Sequence, residues 1–158
     1  MLTQHTFVPN EQTDIIFRGL RKNARTAVFI DEANIRNTER ALRFNLDFIK
    51  LRQAFEHYTD ISSLNYFVVS PSSENRRDAS SQQKFYEWME FNEYRVHYKP
   101  SSLRSDDDGA SVNKTNVDSE LITEAMRLVF SDRSISQIIL MSGDGDYISM
   151  IAALQPLA

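Results

Sequence analysis

Thr26-Ala-Val-Phe-Ile-Asp31 decides the reading of this chain: a short, β-rich apolar run that ends in a carboxylate. A counterpart lies far downstream, Gln137-Ile-Ile-Leu-Met141, followed directly by Ser142-Gly-Asp-Gly-Asp146. Two further apolar runs lie between them, Leu64–Val69 and Tyr94–Tyr98. The intervening segments carry apolar residues at helical spacing. Leu42, Leu46, Ile49, Phe55 and Tyr58 predict one amphipathic helix over about residues 39–58. Phe85, Trp88, Met89 and Phe91 predict another over 79–91, and Leu121, Ile122, Ala125, Leu128 and Val129 a third over 116–130. A short helix is expected from about Tyr147, and another, docked outside, over Asp14–Leu20. Residues 101–113 read as a polar loop containing Asp106-Asp-Asp-Gly109.

Strands that alternate with helices imply right-handed crossovers and a parallel sheet covered on both faces. The expectation is therefore an α/β three-layer sandwich around a central, mainly parallel sheet. Residues 1–25 are read as an N-terminal extension and 26–158 as the domain. The chain stops at Ala158, soon after its last helix begins, without the closing strand that such folds often add. Either the sheet is short or the sequence is a truncated piece.

Composition bounds the chemistry. The 158 residues are 41% hydrophobic and 25% charged, the make-up of a folded domain rather than a disordered chain. No apolar run approaches the roughly 20 residues of a membrane helix, so no membrane is expected. No signal peptide is evident at the N-terminus, and the expected location is cytoplasmic. Cysteine is absent and only three histidines are present, which argues against a zinc enzyme. The net charge of −4 is uneven, +1 over residues 1–100 and −5 over 101–158. Bulk charge cannot draw this chain to nucleic acid, so a polyanion would need a local basic surface.

The acidic excess has a place to gather. In open parallel sheets, functional groups collect beyond the carboxyl ends of the strands, near the point where strand order reverses. If the 137–141 strand adjoins the 26–31 strand, Asp31 and Asp144 approach each other there. Carboxylates that close repel unless they share a proton or a cation. A hard ion, Mg2+ or Mn2+, suits oxygen ligands of this kind. Asp146 is a further candidate, as is Asp118, if the long loop before it returns the chain to the same edge. An EF-hand reading fails because a strand precedes Asp144 and no glutamate stands twelve positions from the start of the loop. A phosphoaspartyl reading of the haloacid-dehalogenase type fails because Ala33 stands where a second aspartate is needed.

These residues resemble a known family. Val28-Phe-Ile-Asp31-Glu-Ala-Asn34-Ile is similar to the first motif of NYN domains, relatives of the PIN-like nucleases. Lys114-x-x-Val117-Asp118-x-x-Leu121 resembles their central motif. Ile139-Leu-Met-Ser142-Gly-Asp144-Gly-Asp146-Tyr147 resembles the Ser-Gly-Asp-x-Asp-Phe motif of the LabA-like branch. Glu124 stands where the family often has aspartate. The resemblance, over about residues 26–155, implies a PIN-like fold and a metal-dependent ribonuclease. Asp31, Asp118, Asp144 and Asp146 would hold Mg2+ or Mn2+, and hydrolysis of this type would leave a 5′-phosphate. Asn34 and Ser142 would contact a metal water or the phosphate. Substrate contacts would fall to Arg36, Arg40, Arg76, Arg77, Lys84, Lys99, Arg104 and Lys114, gripping phosphates without base readout. Tyr66, Trp88 and Tyr98 are expected in the core rather than as stacking platforms. The implied partner is RNA, single-stranded or structured, and a homodimer is admitted. The alternative is a catalytically idle module on the same fold that binds RNA or a protein. A third reading is a small-phosphoester hydrolase.

Overall fold

The computed structural model describes residues 6–70, 76–100, 103–105, 111–113 and 116–155, without the side chains of 76–79, 103–105 and 111–113. Four parallel strands form the sheet: β1 (Arg25–Asp31), β2 (Asp60–Val69), β3 (Tyr94–Lys99) and β6 (Gln137–Met141). Their order is β3-β2-β1-β6, so the direction of winding reverses between β1 and β6. Asp31 of β1 pairs in register with Phe67, and Ile30 with Met141, which brings both strand-end loops to one edge. A separate antiparallel pair, β4 (Leu103–Ser105) and β5 (Ser111–Asn113), occupies part of the expected polar loop.

Alternating side chains of the strands supply two cores. Ala27, Phe29 and Phe67 pack beneath α5 (Asp118–Ser131) and α6 (Ile148–Leu154), against Leu121, Ala125, Leu128 and Met150. Val28, Ile30, Leu64, Tyr66 and Val68 face α3 (Phe48–Tyr58) and α4 (Arg76–Phe91), against Phe48, Phe55, Tyr86 and Met89. Helix–sheet–helix layering follows from that two-residue period. The outer helix α1 (Glu11–Phe17) is capped by Asn10 and docks through Phe17, whose ring lies 5.9 Å from Phe55 and 4.9 Å from Tyr58.

One helix of the sequence reading is two. Between β1 and β2 the chain forms α2 (Glu32–Leu42) and then α3, not a single helix over 39–58. Arg43 takes the left-handed conformation (φ 54°, ψ 45°) and ends α2, its N–H donating to the Glu39 carbonyl. The Glu39 carboxylate accepts the Leu46 N–H at 2.7 Å, and Asp47 then caps α3 by accepting the N–H groups of Ile49 and Lys50. The apolar spacing runs through this break, yet Leu42 is 69% exposed. Helical periodicity cannot register a turn made by side-chain capping.

Candidate active site

Each acid of the strand edge is placed by local structure. Asp31 ends β1 and caps α2; its Oδ1 accepts the Asn34 N–H at 3.3 Å. Asp118 opens α5, where an acid complements the helix dipole, just after the buried Val117. Asp144 caps the 3-10 turn Gly145–Tyr147 by accepting the Asp146 N–H at 3.0 Å.

Packing of α5 beside that turn gathers three of them. Asp118, Asp144 and Asp146 each offer a carboxylate oxygen within 4.8 Å of the others. Asp31 stands behind this group, 2% exposed, and its oxygens are engaged by neighbours. The Asn34 carboxamide donates to Asp31 Oδ2 at 2.9 Å, and the Ser142 hydroxyl lies 3.2 Å from the same oxygen. The Tyr147 hydroxyl links the two tiers, 2.8 Å from Asp118 Oδ1 and 3.2 Å from Asp31 Oδ2. Asn116 donates to the other Asp118 oxygen. Burial pushes the Asp118 carboxyl up; the Tyr147 hydrogen bond opposes this, and the charges of Asp144, Asp31 and Asp146 raise it further. Burial likewise pushes the Tyr147 phenol far up, so it remains a neutral donor.

The donor set suits a hard divalent ion. It consists of carboxylate oxygens alone, three of them close together and mutually repelling, with no sulfur or imidazole in the group.

The other expected site residues divide. Asn34 and Ser142 both lie at the strand edge and hydrogen-bond within it: the Asn34 Oδ1 accepts the Gly143 N–H at 3.0 Å, and the Ser142 hydroxyl accepts the Asp144 N–H at 3.1 Å. A Cβ on Gly143 would meet Asn34 Oδ1 at 3.3 Å, so the close approach of these loops favours glycine. Lys99 pairs with Glu120 at 2.8 Å, and Arg36 pairs with Glu32 at 3.4 Å while lying 5.1 Å over the Phe85 ring. Glu124 is outside the acidic group; the Arg127 guanidinium grips it at 2.5 and 2.7 Å and holds its carboxyl below the usual range. Lys114 lies outside the described residues, and so do the side chains of Arg76, Arg77 and Arg104. Tyr66 is fully buried, as expected, but Trp88 and Tyr98 are 38% and 41% exposed.

Two participants escape the sequence reading. The sequence presents Tyr147 only as part of a motif; its signal is a hydroxyl where that motif carries phenylalanine. Glu32 forms a second polar cluster on the opposite face of the sheet, with both its oxygens 3.1 Å from the Tyr86 hydroxyl. Burial raises its carboxyl, against the pull of Arg36 and Tyr86. A carboxylate next in sequence to Asp31 is its signal.

A four-stranded parallel sheet flanked by helices, with acids converging beyond the ends of β1 and β6, is the PIN-like fold. The chain belongs to the NYN domain family, whose model matches residues 25–157. That family is nuclease-like, generally hydrolytic, and typically uses divalent metals. The fold is similar to the crystal structure of a protein of unknown function from Vibrio parahaemolyticus RIMD 2210633. The TM-score is 0.64 at 20% identity, over 86% of this chain and 75% of that one, a likeness of fold alone. No curated protein sequence matches the chain. Among the described residues no helix is long and apolar enough to cross a membrane.

Proposed function

We propose that the protein is a metal-dependent ribonuclease of the LabA-like branch of the NYN family. The observation that carries the reading is the convergence of Asp118, Asp144 and Asp146 within 4.8 Å, tied to the buried Asp31 through Tyr147. Asp118, Asp144 and Asp146 would hold Mg2+ or Mn2+, with Asp31 supporting them from behind. Such an ion lowers the pKa of a bound water and shields the charge of a phosphodiester under attack.

The chain's own groups do the rest. Asp144 is held at its backbone N–H, which donates to the Ser142 hydroxyl, and at its carboxylate Oδ1, which accepts the Asp146 N–H. A carboxylate fixed in this way can orient a water or accept its proton without first reorganising. Asn34 braces Asp31 against the Gly143 loop and so keeps the β1 and β6 ends at a fixed separation. Lys99, half-buried at the end of β3, can exchange its pair with Glu120 for a phosphate oxygen. Arg36 can make the same exchange with Glu32.

The experiment is cleavage of single-stranded RNA by the purified protein with Mn2+, Mg2+ or EDTA. The expected result is metal-dependent cleavage that Asp144→Asn reduces by at least about a hundredfold, the scale of losing a group that acts in the transition state. Cleavage that survives EDTA would overturn the mechanism. RNA binding without turnover would favour the idle module, and turnover of mononucleotides but not RNA would favour the phosphoester hydrolase.

A further inference from the structure

Helix α2 stands apart from the other long helices, because none of its 11 residues is buried. The sheet face beside it is covered by α3 and α4, through Phe48, Phe55, Tyr86 and Met89. Only the first half of α2 is anchored: Ile35 packs against that core, Tyr86 holds Glu32, and Arg36 lies over Phe85. The outer half of α2 is exposed apart from the half-buried Glu39 and adds little to the core, so it calls for another role.

That outer half is cationic. Arg40 and Arg43 form no ion pair among the described residues, in contrast to Arg36. Together with Arg36, Glu39, Phe44 and Asn45 they line a groove of 320 Å³. Its acid, Glu39, is engaged by the Leu46 N–H and helps to shape the groove. Arg43 occupies the left-handed position that ends the helix, where glycine or asparagine is the usual residue and a Cβ is unfavourable. Phe44 is 42% exposed beside it.

We infer that this groove binds single-stranded RNA flanking the scissile phosphate, with Arg40 and Arg43 on backbone phosphates and Phe44 stacked on a base. The inference rests on the ribonuclease reading and deepens it. Unpaired cations beside an exposed aromatic ring are the combination that grips unstacked bases and their phosphates. The placement fits as well, since α2 starts at Asp31. At about 1.5 Å of rise per residue, Arg43 lies about 18 Å along the axis from the acidic edge. A short oligonucleotide crossing that edge reaches the groove by way of Arg36. With a net charge of −4, the chain needs such a local basic surface to hold a polyanion.

The test is fluorescence anisotropy of a fluorescein-labelled single-stranded RNA oligonucleotide in EDTA, where no cleavage intervenes. Arg40→Ala/Arg43→Gly is expected to weaken binding about tenfold and to flatten the log Kd against log salt slope by about 1.4, because two phosphates are no longer neutralised by a guanidinium. The glycine relieves the left-handed backbone, so this variant should melt no lower than the wild type, which separates lost binding from lost folding. Phe44→Ala is expected to cost about fivefold or more with the salt slope unchanged. Arg133→Ala, an exposed arginine after α5, should bind like the wild type.

Equal affinity of wild type and groove variants overturns the inference. So does an equal loss in Arg133→Ala, a preference for duplex RNA, displacement of the RNA by polyglutamate (the sign of an acidic protein partner), or no RNA binding by the wild type. Mn2+-dependent cleavage measured in parallel separates the two claims. Cleavage with groove-independent binding sinks the groove alone, and groove-dependent binding without cleavage sinks the ribonuclease reading alone.

Discussion

The hydroxyl of Tyr147 has one proton and two carboxylates to serve, Asp118 at 2.8 Å and Asp31 at 3.2 Å. In the metal-free protein it therefore offsets part of the repulsion between them. Tyr147→Phe keeps the buried ring and removes only this donor, and should destabilise the metal-free protein by about 1 kcal/mol. Mn2+ should restore more of the melting temperature in this variant than in the wild type, because the ion then takes over the neutralising role. Asp118→Asn should act in the opposite sense. Burial and three neighbouring aspartates raise the Asp118 carboxyl, so its charge is a liability without a cation. The amide should raise the metal-free melting temperature, by less than about 1 kcal/mol of stability for a group with this much solvent contact. The shift induced by Mn2+ should disappear. Thermal melts with and without Mn2+ check both.

At the scale of elements, α5 is the seat of the site. Leu121, fully buried against the sheet, sits one turn after Asp118 and fixes where that carboxylate lies. Leu121→Ala should cost about 2–5 kcal/mol by leaving a cavity. It should also weaken Mn2+ binding, since a shifted α5 carries Asp118 away from Asp144; denaturant titration and a Mn2+ binding isotherm would show the two effects. The helices also show what periodicity can and cannot report. The spacing of Leu121, Ala125 and Leu128 locates α5 well, because burial of one face produces that spacing. The same pattern merges α2 with α3, because the stop at Arg43 and the restart at Asp47 are made by capping atoms. Trp88 matches a helical stripe yet stands 38% exposed on α4, stacked 6.0 Å from Phe85 at the rim of the core.

For the molecule as a whole, stability should depend on pH through His97 of β3. Its ring stacks on Phe67 at 4.4 Å, and its Nε2 lies 3.2 Å from Asn65 Oδ1. Burial lowers its pKa from the usual 6.5; Glu124 opposes this, while Arg95 and Arg127 reinforce it. The unfolded chain thus binds a proton at a pH where the folded one does not. His97 contributes stability above pH about 6.5 that is lost as the pH falls toward its lower folded value. Denaturant midpoints between pH 7.5 and 5.5 should decline, and the decline should be shallower in His97→Gln. Charge is also partitioned at this scale. Three of the C-terminal acids, Asp118, Asp144 and Asp146, gather at the β1–β6 end of the strand edge, while Arg36, Arg40 and Arg43 line the helix that leads away from it.

The four parallel strands, the helices α3 to α6 between and after them, and the candidate acids at the strand ends were legible in the sequence, since each is a local property: an apolar run, a period, a carboxylate at a strand end. The groups that share an ion's reach were decided by tertiary structure. Asp118 is separated from Asp144 by a helix, a loop and a strand, and only the packing of α5 beside the Gly145–Tyr147 turn brings their oxygens within 4.8 Å. Tertiary packing likewise set Asp31 behind a tyrosine hydroxyl, tied Asn34 to the Gly143 loop and Ser142 to Asp31, and paired Lys99 with Glu120. Distances between residues remote in the chain depend on how whole layers settle on one another, and no window of sequence contains them.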